Sequence, residues 1–124
     1  MVLVDTSVWI RFLSNRAPYA RQLEDLLSRG EVSGHDFVFG ELLIGDKGGR
    51  KQLLADYLLM FQAPSVPHEE VVDFIRQRRL HGRGIGWIDA HLLASALVGR
   101  LSLWTVDPRL AEVATDLRVN YVFE

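Results

Sequence analysis

The chain has 124 residues, no cysteine, an apolar fraction of 48% and a formal net charge of −2. That length and apolar content predict one domain over residues 1–124 with a core of its own, and the missing thiols exclude a disulfide framework, a thiolate nucleophile and a cysteine-bound zinc. The mild negative charge argues against a general nucleic-acid coat but not against a nuclease; with no basic leader and no run near the roughly 20 apolar residues of a membrane span, a cytoplasmic location and no membrane partner are expected.

Val2-Leu3-Val4 is an apolar run without alternation, the pattern of a parallel strand buried on both faces, and Asp5 ends it. Thr6-Ser7 then opens a helix through about Leu13. Past the breaker Asn15-Arg16-Ala17-Pro18, the spacing of Ala20, Leu23, Leu26 and Leu27 predicts an amphipathic helix that stops at Gly30, with Pro18 in its first turn. Val32-Ser33 reads as a stub of strand. Asp36 can cap the next helix, in which Phe37, Val38, Leu42 and Ile44 surround Glu41 and put it on or near a buried face.

After the loop Gly45-Asp46-Lys47-Gly48-Gly49, residues 50–61 predict a helix with Leu53, Leu54, Tyr57, Leu58 and Phe61 inward. Pro64 and Pro67 bracket a turn. A helix over 69–80 carries Val72, Ile75 and an arginine run, and Gly82, Gly84 and Gly86 end it. Residues 88–98 are strongly helical, 101–105 form a second buried strand, 108–115 a short helix, and 119–123 a last strand. Strands separated by helices imply an α/β domain: three layers, α/β/α, around a mostly parallel sheet with right-handed crossovers. Sites in such sheets lie beyond the carboxyl ends of the strands, and there stand Asp5 and Asp107.

Asp5, Glu41, Asp89 and Asp107 are all set against apolar neighbours, where an unbalanced carboxylate is costly and few basic residues are at hand. A divalent metal is the natural counter-ion. Mg²⁺ takes oxygen ligands, keeps several waters and leaves room for a phosphate, so carboxylates around a cleft suit phosphodiester hydrolysis by an activated water. Each acid also has an ordinary structural role open to it: Asp5 as cap of the helix begun by Thr6, Asp89 at a helix N-terminus, Asp107 in the turn before Pro108. Glu41 fits such a role least well.

Four segments carrying these acids, in order along essentially the whole chain, resemble the motifs of PIN-domain ribonucleases, specifically VapC toxins of type II toxin–antitoxin pairs. They are Val2-Leu3-Val4-Asp5-Thr6-Ser7-Val8-Trp9-Ile10, Gly40-Glu41-Leu42-Leu43-Ile44-Gly45, Gly86-Trp87-Ile88-Asp89-Ala90-His91-Leu92-Leu93-Ala94 and Leu103-Trp104-Thr105-Val106-Asp107. The resemblance implies a PIN-like fold in which Asp5, Asp89 and Asp107 ligate or orient Mg²⁺ or Mn²⁺. Glu41 would complete the pocket as ligand or base, and Ser7 and Thr105 would be supporting hydroxyls. It further implies an endoribonuclease that cleaves RNA and stops translation, neutralised by a cognate VapB-type antitoxin. Relatives are typically homodimers, and DNA is reached only through the antitoxin. Many relatives carry a further acid two residues after the last aspartate; here that residue is Arg109, which puts a fifth acidic ligand in doubt.

Other candidates have plainer explanations. Arg76, Arg78, Arg79 and Arg83 could steer phosphates, but Arg76 and Arg79 can pair with Glu69, Glu70 or Asp73 on the same helix. His91 could act beside Asp89, yet a lone histidine on a packed helix is more often structural, and His35, His68 and His81 show no ligand spacing. Trp9, Phe12, Trp87 and Trp104 could stack on bases, but their apolar neighbours favour the core or a subunit interface. Neither glycine-rich loop has a nucleotide-binding fingerprint. An aspartyl phosphotransferase would want a second acid near Asp5 and a later-strand lysine, and has neither. A non-catalytic RNA- or protein-binding module is the alternative that remains.

Overall fold

The computed structural model describes residues 1–123; the domain expected over 1–124 extends to Glu124, which lies outside them. β1 (Val2–Val4) is the central strand of a three-stranded parallel sheet, flanked by β2 (Val32–Ser33) and β3 (Ser102–Trp104) in the order β2-β1-β3. Register pairs Val2 with Val32 and Ser102, Leu3 with Ser33 and Leu103, and Val4 with Trp104. A central strand has no polar face, and Val2, Leu3 and Val4 are accordingly all buried. Both neighbours pair with β1 from the same direction, so their carboxyl ends come out together and Asp5 N–H donates to Trp104 O at 2.9 Å.

Seven helices among the described residues cover the sheet as a three-layer α/β/α domain: α1 (Thr6–Leu13), α2 (Tyr19–Ser28), α3 (Asp36–Ile44), α4 (Lys51–Leu59), α5 (His68–Gln77), α6 (Trp87–Gly99) and α7 (Pro108–Asp116). α6 is buried continuously from Ala90 to Ala96, the signature of a helix enclosed on every side. The core joins Leu3, Val4, Val8, Trp9, Leu92, Leu93, Leu103 and Leu110 into one cluster. Trp9 is 1% exposed, and its indole Nε1–H has no partner.

Several local expectations are corrected. The strand expected over 119–123 is a single bridge, Leu103 with Asn120, held by Leu103 N–H to Val119 O and Tyr121 N–H to Leu103 O. A second bridge, Gly34 with Gln62, was not foreseen. A Cβ at Gly34 would lie 2.5 Å from Gln62 Nε2, so a larger residue would have to displace the Gln62 side chain that packs there. Asp36 is the first residue of α3 and not its cap: His35 takes that role, its Nδ1 accepting Phe37 N–H at 3.0 Å. Pro18 precedes α2 and does not lie in its first turn. α4 ends at Leu59, so Phe61 lies beyond it and is exposed, as is Leu58. α5 ends at Gln77 and buries Val71, while Val72 is only partly covered.

Candidate active site

Asp5 follows the last residue of β1 and is 7% exposed. It occupies the cap position of α1 but its side chain makes no cap hydrogen bond, against the structural role open to it from sequence. Its Oδ2 instead accepts the Ser7 hydroxyl at 2.7 Å and the Thr105 hydroxyl at 2.9 Å. Two O–H donors satisfy one oxygen of a buried carboxylate, and among the described residues no side-chain or backbone donor reaches the other, Oδ1. Ser7 Oγ in turn accepts Val106 N–H at 3.3 Å, and Thr105 Oγ1 accepts Asp107 N–H at 3.1 Å. These bonds tie the ends of β1 and β3 together, so residues nearly a hundred apart in sequence form one unit.

Asp107 caps α7, its Oδ1 accepting Arg109 N–H at 2.9 Å. Asp89 lies in the first turn of α6, with Oδ2 accepting Gly86 N–H at 2.9 Å. Both acids thus perform the helix-start roles that sequence allowed, with an oxygen to spare. Glu41 is corrected: it is exposed, because α3 buries the Val38–Leu42 stripe and turns Glu41 to its flank. There Oε1 accepts the Thr6 hydroxyl at 2.7 Å, which joins α3 to the first turn of α1.

Burial chiefly raises the Asp89 pKa; the Gly86 N–H opposes this, and the charges of Asp5, Asp107 and Glu41 push it further up. Asp89 is therefore close enough to the other three acids to feel their charge. The four acids do not close into a cage: among the described residues no group of three histidine or acidic side chains is compact enough to enclose an ion unaided. An all-oxygen, widely spaced donor set of this kind suits a hard cation that retains its water.

The remaining candidates separate. Arg83 pairs with Asp116 at 2.8 Å and Glu112 at 3.5 Å, fastening the loop before α6 to α7. Arg76, Arg78 and Arg79 are exposed and make no ion pair with Glu69, Glu70 or Asp73 among the described residues, so that expected pairing does not form. His91 is buried between the rings of Phe37 and Trp87, with centroid distances of 4.6 and 4.7 Å, and burial lowers its pKa. Trp9 and Trp104 are core residues, whereas Trp87 is 42% exposed. Sequence reasoning passed over Thr6 as a partner of Glu41; a hydroxyl directly after Asp5 was the only signal.

Residues 2–116 match the PIN domain family. Ribonuclease VapC32 of Mycobacterium tuberculosis, from strains CDC 1551 / Oshkosh and ATCC 25618 / H37Rv, is 48% identical over 117 residues, covering 94% of this chain and 92% of the relative. The crystal structure of PAE2754 from Pyrobaculum aerophilum superposes with a TM-score of 0.56 at 18% identity, over 90% of this chain and 77% of that one, a likeness of fold alone.

Proposed function

Because the chain belongs to the PIN-domain family as a VapC-type ribonuclease, we propose that it is a metal-dependent endoribonuclease toxin that cuts RNA phosphodiester bonds and halts translation. The observation that carries the site is the Ser7–Asp5–Thr105 hydrogen-bonded unit at the joined ends of β1 and β3, with Asp89, Asp107 and Glu41 disposed around it. Asp5, Asp89 and Asp107 would hold Mg²⁺ or Mn²⁺, with Glu41 beside them. When bound, the ion would lower the pKa of water and offset charge developing on the phosphate.

The residues supply the rest. Hydroxyl bonds fix the Asp5 carboxylate through Oδ2 and leave Oδ1 for the ion. Asp89 keeps one oxygen clear of its Gly86 N–H bond, and burial with its acidic neighbours raises its pKa, while Glu41 would serve as ligand or as the base that takes a proton from the attacking water. Glu41, exposed and anchored through Thr6, lines the approach. A VapB-type antitoxin would neutralise the toxin, bringing DNA binding with it, and the toxin itself would act as a cytoplasmic homodimer.

RNA cleavage with and without Mn²⁺ or Mg²⁺ tests the reading. Asp5→Asn and Asp89→Asn should each lower the cleavage rate by about a hundredfold or more, with far-UV circular dichroism unchanged. Equal cleavage by parent and variants would sink the site. Metal-independent RNA binding without cleavage would instead favour the non-catalytic module.

A further inference from the structure

We propose that Arg109 is an RNA-phosphate-binding residue of this site, held in place by Gly84; the inference rests on the ribonuclease reading and extends it. The described arginines divide by what they touch. Arg29 pairs with Asp25 and Glu31, Arg83 with Asp116 and Glu112, and Arg11 donates to Ser7 O at 3.0 Å while lying over the Tyr19 ring. Arg109 makes no ion pair among the described residues and is exposed, in the first turn of the helix that Asp107 caps. Its backbone N–H is bonded to Asp107, and its side chain lies across Gly84, two residues before the Gly86 whose N–H binds Asp89. One residue therefore links the start of α7, which Asp107 caps, to the loop that leads into α6 and Asp89.

The fit at Gly84 is close. A Cβ there would come 2.6 Å from Arg109 Cδ and 2.9 Å from Nη1, and the glycine has φ +81°, where a side chain would be strained in any case. A bare backbone shelf thus orients the guanidinium without using its charge. A cleft of four acids repels a polyanion, so RNA entry needs a cation at the rim. A planar fork left unpaired over the loop that leads to Asp89 can grip two oxygens of a phosphodiester flanking the scissile one. Eight other described arginines, Arg76, Arg78 and Arg79 among them, are unpaired as well, but no hydrogen bond or ion pair joins them to the four acids among the described residues.

The test is fluorescence anisotropy of the full chain with a short, labelled single-stranded RNA of randomised sequence, in chelator and across a salt series, beside cleavage assays in Mn²⁺. Arg109→Ala should weaken binding by about tenfold or more and reduce the slope of log affinity against log salt by about 0.7, the value for one lost single-strand phosphate contact. Arg109→Glu should bind still more weakly, Arg109→Lys should recover the salt slope with part of the affinity, and Gly84→Ala should reproduce the loss through displacement of the side chain. Thermal unfolding of each variant separates a folding defect, and Arg109→Lys restores charge without restoring the fork, so rescue of the slope marks charge rather than structure. If the parent binds and cleaves RNA while Arg109→Ala matches it in affinity and slope, the inference is overturned and the ribonuclease reading stands. If the parent neither binds nor cleaves RNA, both fall.

Discussion

At Asp5 the two hydroxyl bonds and the open oxygen do different jobs. Ser7 and Thr105 offset the cost of burying a carboxylate, while Oδ1 stays available to a cation and its waters. Removing either donor should therefore damage stability and position together. Ser7→Ala also strands Val106 N–H, and Thr105→Ala strands Asp107 N–H. Each is expected to cost about 1–3 kcal/mol in urea unfolding and to lower cleavage less than Asp5→Asn does. A Thr105→Ala protein with parental stability would show that the hydroxyl is incidental. Asp5 and Asp107 were legible as strand-end acids because a carboxylate after an apolar run is conspicuous. The exposure of Glu41 was not, since α3 is apolar on several sides and its sequence does not say which stripe meets the core.

Between elements, His35 joins α3 to α6. Its Nδ1 caps α3, so the neutral ring must carry its proton on Nε2, which donates to Ser95 Oγ at 3.0 Å. Burial holds its pKa below the ordinary 6.5, against a smaller upward pull from Asp36 and a further downward one from His91. The unfolded chain thus binds the extra proton more readily than the folded one. The stabilisation is complete above pH 6.5 and is lost as pH falls below it, because a second ring N–H would oppose the Phe37 N–H. Urea midpoints should rise from mildly acidic to neutral pH in the parent, and His35→Asn, which can still cap the helix, should flatten that rise. An unchanged profile in the variant would remove His35 as its source. Sequence set this histidine aside for want of ligand spacing; its role depends on a serine 60 residues away.

For the molecule as a whole, the proposed ion site would couple folding to ion binding. Like charges gathered around Asp89 destabilise the ion-free fold, and a divalent cation bound there would stabilise it by mass action, about 2.7 kcal/mol at a hundredfold excess over Kd. Mn²⁺ should raise the parent's Tm and leave Asp5→Asn and Asp89→Asn nearly unmoved. Equal increases in all three would place the ion elsewhere.

The alternation of apolar strands with amphipathic helices, read with four ordered acidic motifs, was enough to determine the α/β class and the family. Those signals are local and periodic: burial on two faces makes β1 continuously apolar, and strand ends are where a carboxylate can leave the core. The sheet margins were misread, 119–123 as a full strand and Gln62 as none, because both pair through single bridges, with too few hydrogen bonds to impose a pattern on the sequence. Only the tertiary structure decided that Ser7 and Thr105 share one carboxylate, that Thr6 anchors Glu41, and that Arg109 lies on Gly84 with its charge unspent. Such contacts join residues 25 to 100 positions apart, and their geometry is fixed by how the parallel strands and their helices pack, which no stretch of neighbouring residues records.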